Sequence, residues 1–94
     1  MEVQLDHCYR PNDGVASRVT NDEMVLVDLR EGIYHGLNPV GADIWRLLDG
    51  ERSLQEVVKE LSNRYPDTAP DVVQNDAMAL VQTLLDHALV KANR

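Results

Sequence analysis

The first 37 residues carry a pattern that is typical of β-strands. Residues 24–29 (MVLVDL) form a run that is rich in β-branched residues and bounded by polar ones, which predicts a strand. Arg30-Glu31-Gly32 follows as a predicted turn, with a glycine available for a positive φ. Residues 33–37 (IYHGL) then form the predicted second arm of a β-hairpin.

Two further strands are predicted before this hairpin. Residues 15–20 are the better candidate and residues 3–5 the weaker one, and the turn-forming cluster at residues 11–14 (PNDG) separates them. The sequence therefore predicts a small antiparallel sheet in the N-terminal part of the chain.

Residues 38–90 carry the periodicity of three amphipathic helices. Their start signals are Asn38 before Pro39, the capping box Ser53-x-x-Glu56, and Pro70. Asp49-Gly50 and Pro66 are expected to end the first two helices, and the third is expected to run to about residue 88. The third helix has an apolar arc that is wider than contact with one neighbouring layer requires. This arc comprises Val73, Ala77, Met78, Leu80, Val81, Leu84, Leu85 and Ala88.

Strands first and helices afterwards predict an α+β fold. We expect a winged-helix-like arrangement in one domain over residues 1–94, with an N-terminal three-stranded antiparallel sheet followed by three α-helices. Such a sheet has edges, and the strand at 33–37 is a candidate for one. Because an edge strand exposes unpaired N–H and C=O groups, a peptide can pair with it as an additional strand.

Composition and charge exclude several classes of function. Of the 94 residues, 44% are hydrophobic and 27% are charged, which is typical of a globular domain. Nine Lys and Arg against sixteen Asp and Glu give a formal net charge of −7, which argues against nonspecific binding to DNA or to anionic membranes. The single Cys8 excludes an internal disulfide and a cysteine-based zinc cluster. The sequence shows neither a membrane span nor a secretory signal, so we expect a cytoplasmic location.

No set of residues has the spacing of a catalytic or metal site. His7 and Cys8 are adjacent and would point to opposite faces of an extended segment. His35 and His87 are far apart in the sequence and lack the spacing of metal ligands. Trp45 is expected to lie partly in the core. The residues therefore predict a protein that is not an enzyme and that needs no cofactor.

The second half of the chain resembles the PqqD-like proteins. The resemblance rests on three stretches of residues 24–91: GLNPVGADIW followed by LLDG at 36–50, SLQEVV at 53–58, and the pattern from Asp76 to Val90. Ala77 and Ala88 stand where valine and glycine are commoner in that ending, and we expect these differences to affect mainly packing. Residues 1–14 lie outside the resemblance and are expected to form N-terminal strands or a tail.

This resemblance implies a function in the biosynthesis of ribosomally synthesised and modified peptides (RiPPs). PqqD-like proteins are RiPP recognition elements, which bind the leader of a precursor peptide and present it to modifying enzymes. This sequence is most similar to the stand-alone members of lasso-peptide pathways, whose partners are a leader peptidase and an ATP-dependent macrolactam synthetase. In that family the leader adds to the third strand of the sheet, beside the third helix.

The predicted peptide-binding residues lie on these two elements. On the strand and the turn before it they are Gly32, Ile33, Tyr34, His35, Gly36 and Leu37. On the third helix they are Gln74, Met78, Val81 and Leu85, which form one flank of the apolar arc. The opposite flank, which includes Asp76 and Thr83, is more polar and is expected to make a poorer pocket.

Two other functions remain open at this point. A winged-helix DNA-binding or regulatory domain would share the predicted fold, although the net charge opposes it. A dimerisation scaffold is the second alternative, and the sequence is compatible with a monomer or a dimer.

Overall fold

The computed structural model describes residues 2–21 and 23–93 and shows an α+β fold. In chain order the elements are β1 (Tyr9–Pro11), β2 (Val15–Thr20), β3 (Glu23–Asp28), β4 (Ile33–Leu37), α1 (Pro39–Leu47), α2 (Leu54–Arg64), α3 (Pro70–Asp86) and β5 (Val90–Ala92). The predicted order of a three-stranded antiparallel sheet and then three helices is confirmed. In the described part of the chain, no helix has the length and apolar character that a membrane span requires.

The three-stranded sheet has the order β2-β3-β4, with Met24 opposite Leu37 and Asp28 opposite Ile33. Along β3, Met24, Leu26 and Asp28 are buried under the helices, whereas the alternating valines are only half-buried on the opposite face. This alternation is the period of two that the sequence shows. One face of the sheet therefore packs against the helices, and none of the described helices packs on its other face.

The N-terminal segment differs from the prediction. Residues 3–5 do not form a strand, and instead β1 pairs antiparallel with β5 at the other end of the chain. The Val3 N–H donates to Oε1 of Gln82 on α3 at 2.8 Å, and the Val3 side chain is buried. The expectation of a strand at 3–5 was wrong: the Val3 N–H donates to a side chain of α3 and the Gln4 N–H donates to the Tyr9 hydroxyl at 2.9 Å, so neither group is part of a strand ladder.

The predicted starts of the helices are confirmed. The Asn38 side chain accepts from the Gly41 N–H at 2.7 Å at the start of α1, and Pro39 is the first residue of that helix. Ser53 and Glu56 form the expected reciprocal capping box at the start of α2. Trp45 is only 6% exposed, as expected of a core residue.

The end of α3 is a Schellman motif with an unusual residue at its centre. The Leu89 N–H donates to the Leu84 carbonyl at 2.8 Å, and the Ala88 N–H donates to the Leu85 carbonyl at 3.0 Å. This geometry places Ala88 at a φ of 58°, in the left-handed region that favours glycine. The replacement of glycine by alanine at this position therefore affects the backbone, and the expectation that it affects mainly packing was wrong.

Candidate functional site

The orientation of the backbone of β3 can be derived from two hydrogen bonds at its end. The Leu29 N–H donates to the Gly14 carbonyl at 2.8 Å, so residue 29 directs its backbone toward the β2 side. The Gly32 N–H donates to the Asp28 carbonyl at 2.7 Å, so residue 28 directs its backbone toward the β4 side. Because backbone groups alternate along a strand, Leu26 also faces β4.

The same alternation shows which groups of β4 are free. Leu26 is opposite His35, so the His35 backbone is directed toward β3 and belongs to the ladder. Tyr34 and Gly36 therefore direct their N–H and C=O groups away from the sheet. Among the described strands, β4 has β3 as its single neighbour. The outer edge of β4 thus offers the backbone groups of Tyr34 and Gly36 to a further strand.

A groove lies between this edge and α3. It is lined by Gly36, Leu37, Asn38, Val40, Gly41, Ile44, Asp76 and Leu80. Most of this lining is apolar, and Leu37 and Ile44 continue into the buried core. Two of the lining residues are glycines, so the backbone at the end of β4 and at the start of α1 borders the groove directly. A strand paired with β4 would rest its side chains against the helices here.

A second depression lies on the opposite face of the sheet. It is lined by residues of β2 and β3 together with Leu29 and Tyr34. Tyr34 is 70% exposed on this face. Because no helix forms part of its lining, a strand added to β4 would meet a second wall only in the groove beside α3. We therefore take the β4 edge and the α3 groove together as the candidate site.

The structure places the predicted residues of α3 on a different side from the groove. Val81 is fully buried in the core, and Gln74, Met78 and Leu85 are half-buried. None of these four lines the groove, which is bordered by the flank that carries Asp76 and Leu80. This corrects the expected orientation of α3. The predicted flank faces away from the groove. The N-terminal segment lies next to that flank, since the Val3 N–H donates to Gln82 on the neighbouring side of α3.

The predicted residues of the strand lie on β4 and on the turn before it, and Gly36 and Leu37 also line the groove. Gly32 has a φ of 70° in the turn before β4, and Ile33 and Tyr34 are exposed. His35 is half-buried on the helix side of the sheet, where its ring centroid is 5.3 Å from that of His87. The fold therefore brings together two histidines that are far apart in the sequence. No group of three metal-ligating side chains is found within residues 2–21 and 23–93.

An ion pair holds the β3–β4 hairpin against the end of α3. The Arg30 guanidinium donates to both carboxylate oxygens of Asp28, at 2.9 and 3.1 Å, and to the carbonyl of Ala88 at 2.8 Å. The Asp28 side chain is almost inaccessible to solvent, and its hydrogen bonds to Arg30 hold its pKa below the usual value for an aspartate. This contact links the hairpin to the C-terminal end of the helix that borders the groove. Sequence reasoning had assigned Arg30 only to a turn.

Comparison with solved structures shows two similar chains. One is described as TbiB1 in complex with the TbiA(beta) leader peptide; it is 30% identical, with a TM-score of 0.78 over 87% of this chain and 94% of that one. The other is described as lasso peptide synthetase B1 complexed with the leader peptide; it is 28% identical, with a TM-score of 0.78 over 88% of this chain and 96% of that one. No curated protein matches the chain.

The family comparison agrees with the motifs in the sequence. The model of the PqqD family, described as coenzyme PQQ synthesis protein D, matches residues 23–90. This match contains β3, β4 and all three helices, and therefore both walls of the groove. The chain thus belongs to the PqqD family, as a PqqD-like RiPP recognition element.

Proposed function

We propose that this protein binds the leader segment of a ribosomally synthesised precursor peptide as an additional strand along β4. The observation that carries the proposal is the unpaired outer edge of β4 beside the α3 groove. The outward N–H and C=O groups of Tyr34 and Gly36 would form the backbone hydrogen bonds with the leader.

The geometry divides affinity and selectivity between two parts of the site. Backbone hydrogen bonds along an edge strand make few demands on the sequence of the ligand. A leader loses conformational freedom when it binds, so burial of some of its side chains is needed to offset that cost. Val40, Ile44 and Leu80 supply an apolar surface for that burial.

The similar structures support this proposal. Both are described as complexes with a leader peptide, and one is described as a lasso peptide synthetase B1. We extend the proposal to a role in lasso-peptide biosynthesis, in which this protein presents the precursor to a leader peptidase and an ATP-dependent macrolactam synthetase. In this scheme the partner enzymes perform the chemistry and this chain needs no cofactor.

Titration of the purified protein with the two halves of its precursor tests the proposal. The precursor is first sought as a short open reading frame beside this gene, and its leader half and core half are then synthesised separately. We expect saturable binding of the leader half and little binding of the core half. Binding of the core half alone, or of neither half, would contradict the proposal.

Incubation of the protein with the precursor and ATP, followed by mass spectrometry, tests catalysis: a peptide modified without the partner enzymes would overturn the binding-only role.

A further inference from the structure

The groove beside β4 contains one charged side chain. Of the eight residues that line it, Asp76 alone carries a formal charge. Asp76 lies on the exposed part of α3, one turn before Leu80. No hydrogen bond or ion pair joins its carboxylate to another described residue, whereas Asp28 and Asp43 both contact arginines.

An unpaired carboxylate in an apolar groove restricts what can bind there. A ligand that covers Val40 and Leu80 removes water from the neighbouring Asp76. Loss of that water is unfavourable for a charged group unless the ligand supplies a cation or a hydrogen-bond donor. A lysine or arginine meets both needs, because its aliphatic stem packs on apolar surface while its charged end reaches the carboxylate.

The register of an added strand limits where such a residue can lie. A leader residue opposite Gly36 shares the orientation of Gly36, which faces away from the helices. The residues on either side of it direct their side chains toward the helices and the groove. Because the period of a strand is two, groove-facing side chains are separated by one residue in the leader.

We infer that the groove selects a leader segment in which an apolar residue and a lysine or arginine are separated by one residue. The apolar side chain packs on Val40, Ile44 and Leu80, and the basic side chain pairs with Asp76. This inference rests on the proposed function, since it names the leader chemistry that the same site takes. It makes Asp76 a specificity-determining residue of the strand-addition site.

Selection from a displayed library of random twelve-residue peptides tests the inference without knowledge of the precursor. The library is selected separately on the wild-type protein and on Asp76→Asn and Asp76→Lys. We expect the wild-type protein to enrich the apolar-x-basic or basic-x-apolar pattern. Asp76→Asn should lose the preference for a basic residue, and Asp76→Lys should shift it toward aspartate and glutamate.

Titration of one enriched peptide gives the magnitude. We expect Asp76→Asn to weaken its Kd roughly three- to tenfold, because the pair is charged but only partly shielded from solvent. We also expect the Kd of this variant to depend less on salt concentration than the Kd of the wild-type protein does. Asp71→Asn is the matched control: it removes the same charge from α3 at a position about 140° away around the helix axis, and should leave the Kd unchanged.

The failure of this inference is distinguishable from the failure of the proposed function. If the wild-type protein enriches peptides that lose binding in Tyr34→Pro but have no preference for basic residues, leader binding stands and the role of Asp76 is overturned. Equal effects of Asp76→Asn and Asp71→Asn would also overturn it. If no enriched peptide depends on the β4 edge, both the proposed function and this inference fail.

Discussion

Replacement of Tyr34 by proline tests the strand-addition site at a single backbone group. Proline has no N–H, so Tyr34→Pro removes one of the donors that β4 directs outward. The internal ladder between β3 and β4 uses the backbone of His35 instead, and therefore remains intact. Edge strands tolerate proline where the N–H faces solvent, so we expect the variant to fold.

The magnitude follows from the one hydrogen bond that is lost. Because proline leaves the leader carbonyl without its partner, the cost is the penalty of an unsatisfied group, about 1–3 kcal/mol, and not only the smaller net contribution of the bond. A loss of about 1–3 kcal/mol corresponds to a Kd that is weaker by about fivefold to 150-fold. His35→Pro should act differently: it removes the donor to the carbonyl of the fully buried Leu26, so it should lower the free energy of unfolding by about 1–3 kcal/mol.

Leader titration and thermal unfolding on four variants separate these effects. Tyr34→Ala corrects for loss of the tyrosine side chain, which lies on the open face of the sheet. Ser17→Pro removes an outward N–H from β2, the opposite edge, and should leave the Kd unchanged. If a folded Tyr34→Pro binds the leader as tightly as Tyr34→Ala does, or if Ser17→Pro weakens binding equally, the leader does not pair with β4.

Three further predictions concern stability and the groove. Ala88→Gly should raise stability by about 0.5–1 kcal/mol and Tm by about 2–8 °C, because relief of the left-handed strain exceeds the entropic cost of glycine; an unchanged Tm in calorimetry would contradict this. Since Arg30 lowers the pKa of Asp28 in the folded protein, this pair stabilises the fold above the unfolded pKa and the stabilisation is lost as pH falls through the folded pKa. The difference in free energy of unfolding between the wild-type protein and Asp28→Asn, measured by chemical denaturation, should therefore decrease below about pH 4. An increase would refute the stabilising role of the Asp28–Arg30 pair. Leu80→Glu should weaken leader binding, whereas Met78→Glu should mainly lower Tm. The reverse result would indicate that the leader binds along the flank of α3 that carries Met78.

The elements that the sequence predicted well are those specified by neighbouring residues. The caps at Asn38 and Ser53 involve residues three positions apart, and each is present in the structure. The strand at 33–37 was predicted with its observed bounds, because a glycine turn and a polar residue delimit it. The edge position of this strand also followed from the small number of strands, and the sheet order agrees with it.

The features that the sequence did not show depend on residues far apart in the chain. The pairing of β1 with β5 joins Tyr9 to Ala92, and no local pattern indicates such a partner. The contact of Arg30 with the carbonyl of Ala88 is of the same kind. A backbone property was missed as well, since the left-handed conformation of Ala88 is set by the Schellman motif and not by its side chain.

The amino-acid sequence by itself determined that this is a small acidic α+β domain with a strand edge suited to peptide addition, and its motif order pointed to the PqqD-like proteins. Periodicity and capping determine local structure, because hydrogen bonds and side-chain contacts within one element span only a few residues. Only the tertiary structure decided which flank of α3 faces that edge. A wide apolar arc is compatible with either rotation of the helix. In the observed rotation the C-terminal part of α3 contacts the N-terminal segment through Gln82, and the carbonyl of Ala88, just after the helix, accepts from Arg30.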